Sequence, residues 1–387
     1  MADLAIGVIG YGLRGSLARH AHRPGEGSKL VAVYDPDVAA HQRFREAFGA
    51  DLAATTDLDE FLKLDLDAAF VLSPDFLHEE HALALLDAGI PVYLEKPMAI
   101  TTEGCDRLLR AAQKNGGRLY LGHNMRHMPF VREMKKLIDS GAIGEPKVAW
   151  CRHFVGNGGD FYFGDWHAER KYGTSLLLQK GAHDLDVLHW LCGSYASEVT
   201  AMGDRMVYGA DQGGEEDPWW QGERNLKRWP PKSLTGLNPK MDVEDVSMMT
   251  MRLQNGILAS YEQCHFTPDY WRNYTIIGTE GRIENFGNGE PGTVIRLWNQ
   301  RHDYAAQGDH EVSLGEETGG HGGADPRIVA EFLRYVREGG QTDTSPVAAR
   351  YAVAAGCAGA ESLRSGSKPV RVPEVASEVT AYFDDQA

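Results

Sequence analysis

A glycine cluster directly behind the first apolar run constrains this chain more than any other feature. Leu4–Ile9 is continuously apolar and leads into Gly10-Tyr11-Gly12-Leu13-Arg14-Gly15, which fits G-x-G-x-x-G. A strand in front and a helical stretch behind is the context in which that pattern carries meaning. Gly10 permits the tight turn, Gly12 lets a pyrophosphate approach the backbone, and Gly15 lets helix and strand pack closely. A helix amino terminus offers N–H groups and the positive end of a dipole to phosphates. Asp35 ends the next apolar run, 20 residues beyond Gly15. An acid there accepts hydrogen bonds from the adenosine ribose hydroxyls. Pro36 and Asp37 follow it rather than an arginine, so a 2′-phosphate would meet negative charge. NAD is therefore expected, with NADP disfavoured.

Further apolar runs at Leu30–Tyr34, Ala68–Leu72, Pro91–Leu94 and Arg118–Gly122 alternate with helical patterns. Short apolar runs each followed by a helix read as buried parallel strands with crossover helices. The reading is an α/β chain that opens with a Rossmann-type, doubly wound parallel sheet over residues 1–124, in strand order 3-2-1-4-5. After Asn124 the texture changes. Strand-like stretches such as Val246–Leu253, Ile257–Phe266 and Asn273–Gly278 follow one another without crossovers. They predict an α+β domain over 125–387 with a large, open, mostly antiparallel sheet. A long loop between Tyr208 and Lys240, carrying Trp219, Trp220 and Trp229, reads as an ordered cover. Helices are expected near Asp325–Arg337 and Val347–Arg364.

Two short segments carry the chemistry. Glu95-Lys96-Pro97 ends the fourth run. In the expected order, strands one and four flank the switch point, so Lys96 and the glycine loop open onto one crevice. A lysine there can hold a substrate hydroxyl or carry its proton, and Pro97 suits a cis bond that would aim it inward. Gln179-Lys180-Gly181-Ala182-His183-Asp184 opens an apolar helix, and His183 is a candidate general base. His183 and His189 are six residues apart and fall on different helix faces, so no metal site is expected.

In its motifs the chain resembles the Gfo/Idh/MocA oxidoreductases. The resemblance rests on the glycine loop, Glu95-Lys96-Pro97, His123-Asn124-Met125-Arg126, Asp139-Ser140-Gly141-Ala142-Ile143-Gly144, Gly181-x-His183-Asp184-x-Asp186 and Gly278-Thr279-Glu280-Gly281. It implies a Rossmann domain, a second domain whose open sheet often packs against another subunit, and hydride transfer between nicotinamide and a sugar, cyclitol or related polyol. By that likeness Lys96 and His183 are the catalytic pair. Ser73, Pro74, His78, Glu95, Lys96 and Asn124 join the glycine loop and Asp35 as expected cofactor contacts. His123, Arg126, Asp165, Trp166, Gln179, Lys180 and His321 join the catalytic pair as expected substrate contacts. Many relatives carry an aspartate four residues before the histidine; here that place is Gln179.

Gly319-Gly320-His321-Gly322-Gly323-Ala324-Asp325 precedes a helix, with Asp325 as its expected cap. A His-Gly-Gly-x-Asp segment resembles one in related NAD-retaining glycosidases, which oxidise a sugar transiently and eliminate an aglycone. That activity, and a non-catalytic ligand-sensing role, are the alternatives. Asp160, Asp165, Trp166, His167 and Tyr270 lie in polar-aromatic stretches of the kind that bind sugars. Lysine and arginine number 39 against 55 aspartates and glutamates, a formal charge of −16. That surplus argues against nucleic acid or an anionic membrane as partner. No apolar run reaches the ~18 residues of a membrane span. The five cysteines are scattered singly. A cytoplasmic enzyme is expected, as a homo-oligomer (dimer or tetramer) if the second sheet is exposed.

Overall fold

A computed structural model describes residues 2–156, 158–209, 229–314 and 320–385, without the side chains of 159, 160, 320, 321 and 385. The chain divides into two units, each contributed by separate segments. One comprises Met1–His127, Gly319–Arg350 and Val375–Ala387; the other comprises Met128–Thr318 and Tyr351–Glu374. The first stretch thus ends close to Asn124, but two later segments join it. The reason lies in the helix Gly320–Glu338. Its Phe332 packs against Phe70, Tyr93 and Tyr120 of the first unit's sheet, with ring centroids 5.2–5.6 Å apart. Truncating a fully buried Phe of this kind costs about 3–5 kcal/mol.

The first unit holds six parallel strands: β1 (Leu4–Ile9), β2 (Ser28–Tyr34), β3 (Ala53–Thr55), β4 (Ala68–Val71), β5 (Val92–Leu94) and β6 (Leu119–Leu121). Their order is β3-β2-β1-β4-β5-β6, a doubly wound sheet. The short edge strand Ala53–Thr55 escapes sequence reading because its side chains are only partly buried or exposed. Its presence corrects the expected order. The run at Ala68 pairs with β1 (Ile6 opposite Ala68) and so occupies the switch point, while the strand that leads to Lys96 lies one place further out.

The second unit holds β7 (Pro146–Val155), β8 (Ala196–Asp204), β9 (Val246–Leu253), β10 (Leu258–Cys264), β11 (Tyr270–Gly278), β12 (Arg282–Phe286), β13 (Val294–Trp298), β14 (His310–Ser313) and β15 (Val370–Arg371). They form one sheet in the order β14-β13-β12-β11-β7-β10-β9-β8-β15. All its pairs are antiparallel except β7 with β10, so the sheet is mixed and mostly antiparallel. Its two faces follow the period of two. In β9, Ser247, Met249, Met251 and Leu253 are buried, while Met248, Thr250 and Arg252 are exposed. Met202 of β8 lies opposite Met248, and both are more than half exposed. Among the described residues, no helix is long and apolar enough to cross a membrane.

Candidate cofactor loop and acid–base cluster

In the first unit, each glycine of the loop has a separate reason. Gly10 has φ +85°, and a Cβ there would lie 2.7 Å from the Ser73 amide nitrogen. Gly15 makes room for the Tyr11 ring, 2.7 Å from where a Cβ would sit, rather than for helix–strand packing. Tyr11 in turn packs edge-on against Phe44 at 5.2 Å. A Cβ on Gly12 would meet nothing within 4 Å. Gly12 stands at the start of the 3₁₀ helix Leu13–Ala21, which has no side-chain cap. Open space before uncapped helix amides is what a pyrophosphate needs. Asp35 accepts the Tyr11 and Asp37 N–H groups, each at 2.8 Å, on different carboxylate oxygens. Each oxygen keeps a second lone pair for a ribose hydroxyl. The residues therefore fit a bound dinucleotide.

Arg14 is not a free phosphate ligand. Its Nε bonds Glu95 at 2.5 Å, and its two Nη atoms bond Asp325 at 2.8 and 2.9 Å. Burial opposes the Arg14 charge, but Glu95 and Asp325 outweigh burial and hold its pKa well above the ordinary value. Asn124 adds a bond to Asp325 at 3.0 Å. Asp325 is thus no helix cap; the helix begins five residues earlier, at Gly320. Glu95 uses its other oxygen on the Lys96 N–H at 2.7 Å. The Lys96–Pro97 bond is cis.

His78, expected to touch the cofactor, is instead 1% exposed. Its ring nitrogens face the Pro97 carbonyl at 2.6 Å and the Ser73 carbonyl at 2.9 Å, so it joins the ends of β4 and β5. His81 bonds the Ser73 hydroxyl at 2.9 Å. Burial, then His78, pushes its pKa down to about 4. Pro74 follows in the same turn, and Leu13 is exposed. His123 and Arg126 are both buried, and Arg126 donates to the Asp343 carbonyl at 2.7 Å.

In the second unit, His183 is the third residue of the helix Gly181–Cys192 and is 8% exposed. Its neighbour Asp184 is fully buried. Asp184 draws in His153 at 2.9 Å, Tyr261 at 2.9 Å, Tyr274 at 2.5 Å and Arg272 at 2.6 Å. Those groups come from β7, β10 and β11, so one carboxylate fastens the histidine helix to three strands. Burial opposes the Asp184 charge; Arg272 and His153 outweigh it and hold the carboxyl well below its usual range. Burial, then Arg272, brings the His153 pKa down to about 3.

Lys180 stands at the cap position immediately before this helix. Its Nζ lies 3.4 Å from the Tyr270 hydroxyl and 5.5 and 5.7 Å from the Tyr270 and Tyr162 ring centres. Gln179 is buried just before it. Asp165 accepts the His167 N–H at 3.0 Å and faces its Nδ1 at 2.6 Å, while Trp166 stacks on the same ring at 3.7 Å. Asp165 thus orients a histidine. Trp219, Trp220 and the side chains of Asp160 and His321 lie outside the described residues.

Sequence reading missed Asp184, Arg272 and the clamp on Arg14. A signal for the first two exists: Arg272 and Tyr274, and His153 and Cys151, are spaced by two on paired strands. A charged residue at a core position of such a strand demands a buried counter-charge.

Residues 4–123 match the family described as "Oxidoreductase family, NAD-binding Rossmann fold", and residues 131–284 match the "GFO/IDH/MocA C-terminal domain". The chain belongs to the Gfo/Idh/MocA oxidoreductase family. It is 36% identical over 201 residues to an inositol 2-dehydrogenase of Ralstonia nicotianae, covering 49% of this chain and 55% of that protein. It is 31% identical over 220 residues to a 2,7-anhydro-N-acetylneuraminate hydratase of Mediterraneibacter gnavus, covering 56% and 57%. These matches span little more than half of either relative. A levoglucosan dehydrogenase solved with NADH and levoglucosan shares the fold, with a TM-score of 0.79 and 20% identity, over 96% of this chain and all of that one. The Gfo/Idh/MocA assignment carries with it an NAD-binding Rossmann domain and an oxidoreductase class.

Proposed function

We propose that this Gfo/Idh/MocA chain oxidises a secondary hydroxyl of a sugar, cyclitol or related polyol with NAD. The observation that carries the reading is the Arg14–Glu95–Lys96 connection. Glu95 bonds Arg14 of the cofactor loop on one side and the Lys96 amide on the other. The backbone that carries Lys96 at the carboxyl end of β5 is thereby tied to the same residue that braces the glycine loop. The inositol and levoglucosan dehydrogenases named above support a polyol as substrate class.

The loop Gly10–Gly15 and Asp35 would hold the dinucleotide, which when bound supplies the hydride acceptor. Lys96 holds the substrate oxygen and stabilises the charge that develops there. His183 takes the hydroxyl proton as general base. Asp184 acts on His183 through the backbone, by fastening its helix. Gln179 binds a substrate hydroxyl as a neutral amide. Asp35 favours NAD over NADP, because a 2′-phosphate would face its carboxylate. The exposed face with Met202, Met248 and Leu258 fits a homo-oligomer contact.

Absorbance at 340 nm with NAD and a panel of sugars and cyclitols tests this reading. Steady NADH formation with one polyol supports it; none across the panel contradicts it. A second reading, a redox-neutral elimination or hydration with retained NAD, draws on the hydratase relative and on Asp325, which ties the glycine-rich His321 segment to Arg14. Product release without net NADH from a glycoside or anhydro-sugar would select it.

A further inference from the structure

Four tyrosines surround the polar cluster of the second unit. Tyr261 and Tyr274 are fully buried and spend their hydroxyl protons on Asp184. Tyr162 is 5% exposed. Tyr270 differs: it is 44% exposed, yet its hydroxyl lies beside Lys180. A phenol that is both reachable and paired with an ammonium has a use the other three lack.

We propose that Tyr270 is a further catalytic acid–base residue, its hydroxyl exchanging a proton with a substrate oxygen while the Lys180 ammonium supplies the balancing charge. The proposal rests on the polyol reading above. In the oxidative direction the oxygen is that of a hydroxyl beside the one His183 deprotonates: its O–H bond breaks and a Tyr270 Oη–H bond forms. The bonding pair stays on the substrate oxygen, so one negative charge passes from the phenolate to that oxygen, still facing Lys180. The phenol then returns its proton to water.

The surroundings favour this exchange. Burial raises the Tyr270 pKa, but Arg272 and Lys180 outweigh burial and the Asp184 carboxylate, and the net direction is downward. Tyr261 and Tyr274 move the opposite way, pushed up by burial and by Asp184. Burial disfavours the Lys180 charge, and the Tyr162 and Tyr270 oxygens outweigh it. Among the described residues, the remaining groups facing the pair are His153, edge-on to the Tyr270 ring at 5.4 Å, and the buried His265. Burial holds both imidazoles well below their ordinary pKa, so neither competes as a cation near neutral pH.

The test pairs a titration with kinetics. The tyrosinate absorbance difference near 295 nm between the native chain and Tyr270→Phe isolates one phenol. Its midpoint is expected below the ordinary ~10. Lys180→Met should raise it, and Lys180→Arg, which keeps the charge, should restore it. With a polyol, Tyr270→Phe should lower kcat/KM by about 10²-fold and remove the limb of the pH profile that tracks that midpoint, at unchanged NAD affinity. A midpoint at 10 or above, or an unchanged profile in Tyr270→Phe, overturns the proposal. Absence of polyol turnover in the native chain overturns the polyol reading and the catalytic role together. The titration needs no substrate, so it still decides whether Lys180 governs Tyr270.

Discussion

Arg14 and Asp325, 311 residues apart in the chain, meet in a two-pronged ion pair at 2.8 and 2.9 Å. Planar guanidinium and carboxylate match in this geometry, which makes the pair stronger than a single contact. It ties the cofactor loop to a helix from the far end of the sequence. Arg14→Met would leave Glu95 and Asp325 facing each other without a counter-charge. Removing one partner from a buried pair costs about 3–5 kcal/mol. We expect a loss of that order in urea unfolding, and NAD binding weakened at least ~10-fold, since 1.4 kcal/mol is tenfold. Asp325→Asn should cost less, because the amide oxygen still accepts one bond. Unfolding midpoints and NAD titrations of both variants check this.

Gly12 and Gly10 should respond oppositely to alanine. A Cβ on Gly12 enters open space, and its φ of −86° lies outside the left-handed region. Gly12→Ala should therefore keep its melting temperature and lose NAD affinity. Gly10 has φ +85°, and a Cβ there would collide with the Ser73 amide. Left-handed backbone alone costs an L-residue about 1–2 kcal/mol. Gly10→Ala should destabilise the fold before any ligand is added. Thermal melts beside NAD titrations separate the two effects.

Asp35→Ser should weaken NAD and narrow the preference over NADP. A hydrogen bond to a charged group contributes about 1.5–3 kcal/mol, so a ~10- to 100-fold weaker NAD affinity is expected. Part of that loss comes from the Tyr11 and Asp37 amides, which the carboxylate now orders. Parallel titrations with both dinucleotides measure it. An unchanged NAD to NADP ratio would remove Asp35 from cofactor choice.

The glycine loop, the parallel runs and the Lys96 turn were legible because local pattern determines them. A buried parallel strand is a short apolar run, and the loop's geometry belongs to its own residues. The edge strand Ala53–Thr55 has no such run, and missing it shifted the expected switch point by one strand. β7 was missed for a related reason: its inward side chains include Ala149, Cys151 and His153, which are small or polar. The clamp on Arg14 was not legible, and for the groups gathered on Asp184 the strand spacing of Arg272 signals only that a buried counter-charge is needed. Each joins residues from distant segments, and only the tertiary fold decides which carboxylate meets which guanidinium. Lys180 is expected from the sequence as a substrate contact; the fold sets it beside Tyr270 and Tyr162.

Acid should weaken the fold through histidines before it reaches the carboxylates. The pKa of His153 falls to about 3 and that of His81 to about 4 in the folded chain. Unfolded, both titrate near ~6.5. Between those limits the unfolded state binds more protons than the native one, so stability rises with pH and falls as pH drops below about 6.5. Asp184 acts later. Its folded pKa lies below the ordinary 3.8, so its contribution is intact above that value and is lost only at lower pH. Urea unfolding between pH 7 and 4.5 should show a positive slope, shallower in His81→Asn. A flat profile in the native chain would contradict this account.

The central claim is that Lys96 and His183 carry the chemistry while the glycine loop carries the dinucleotide. Its most direct test measures kcat and the NAD Kd side by side in Lys96→Met and His183→Asn with an oxidisable polyol. We expect kcat to fall by about 10²–10⁴-fold, the usual range for losing an acid–base group, with the NAD Kd within a few-fold of the native value. Undiminished kcat in either variant, or loss of NAD binding that accounts for the whole effect, would contradict the claim.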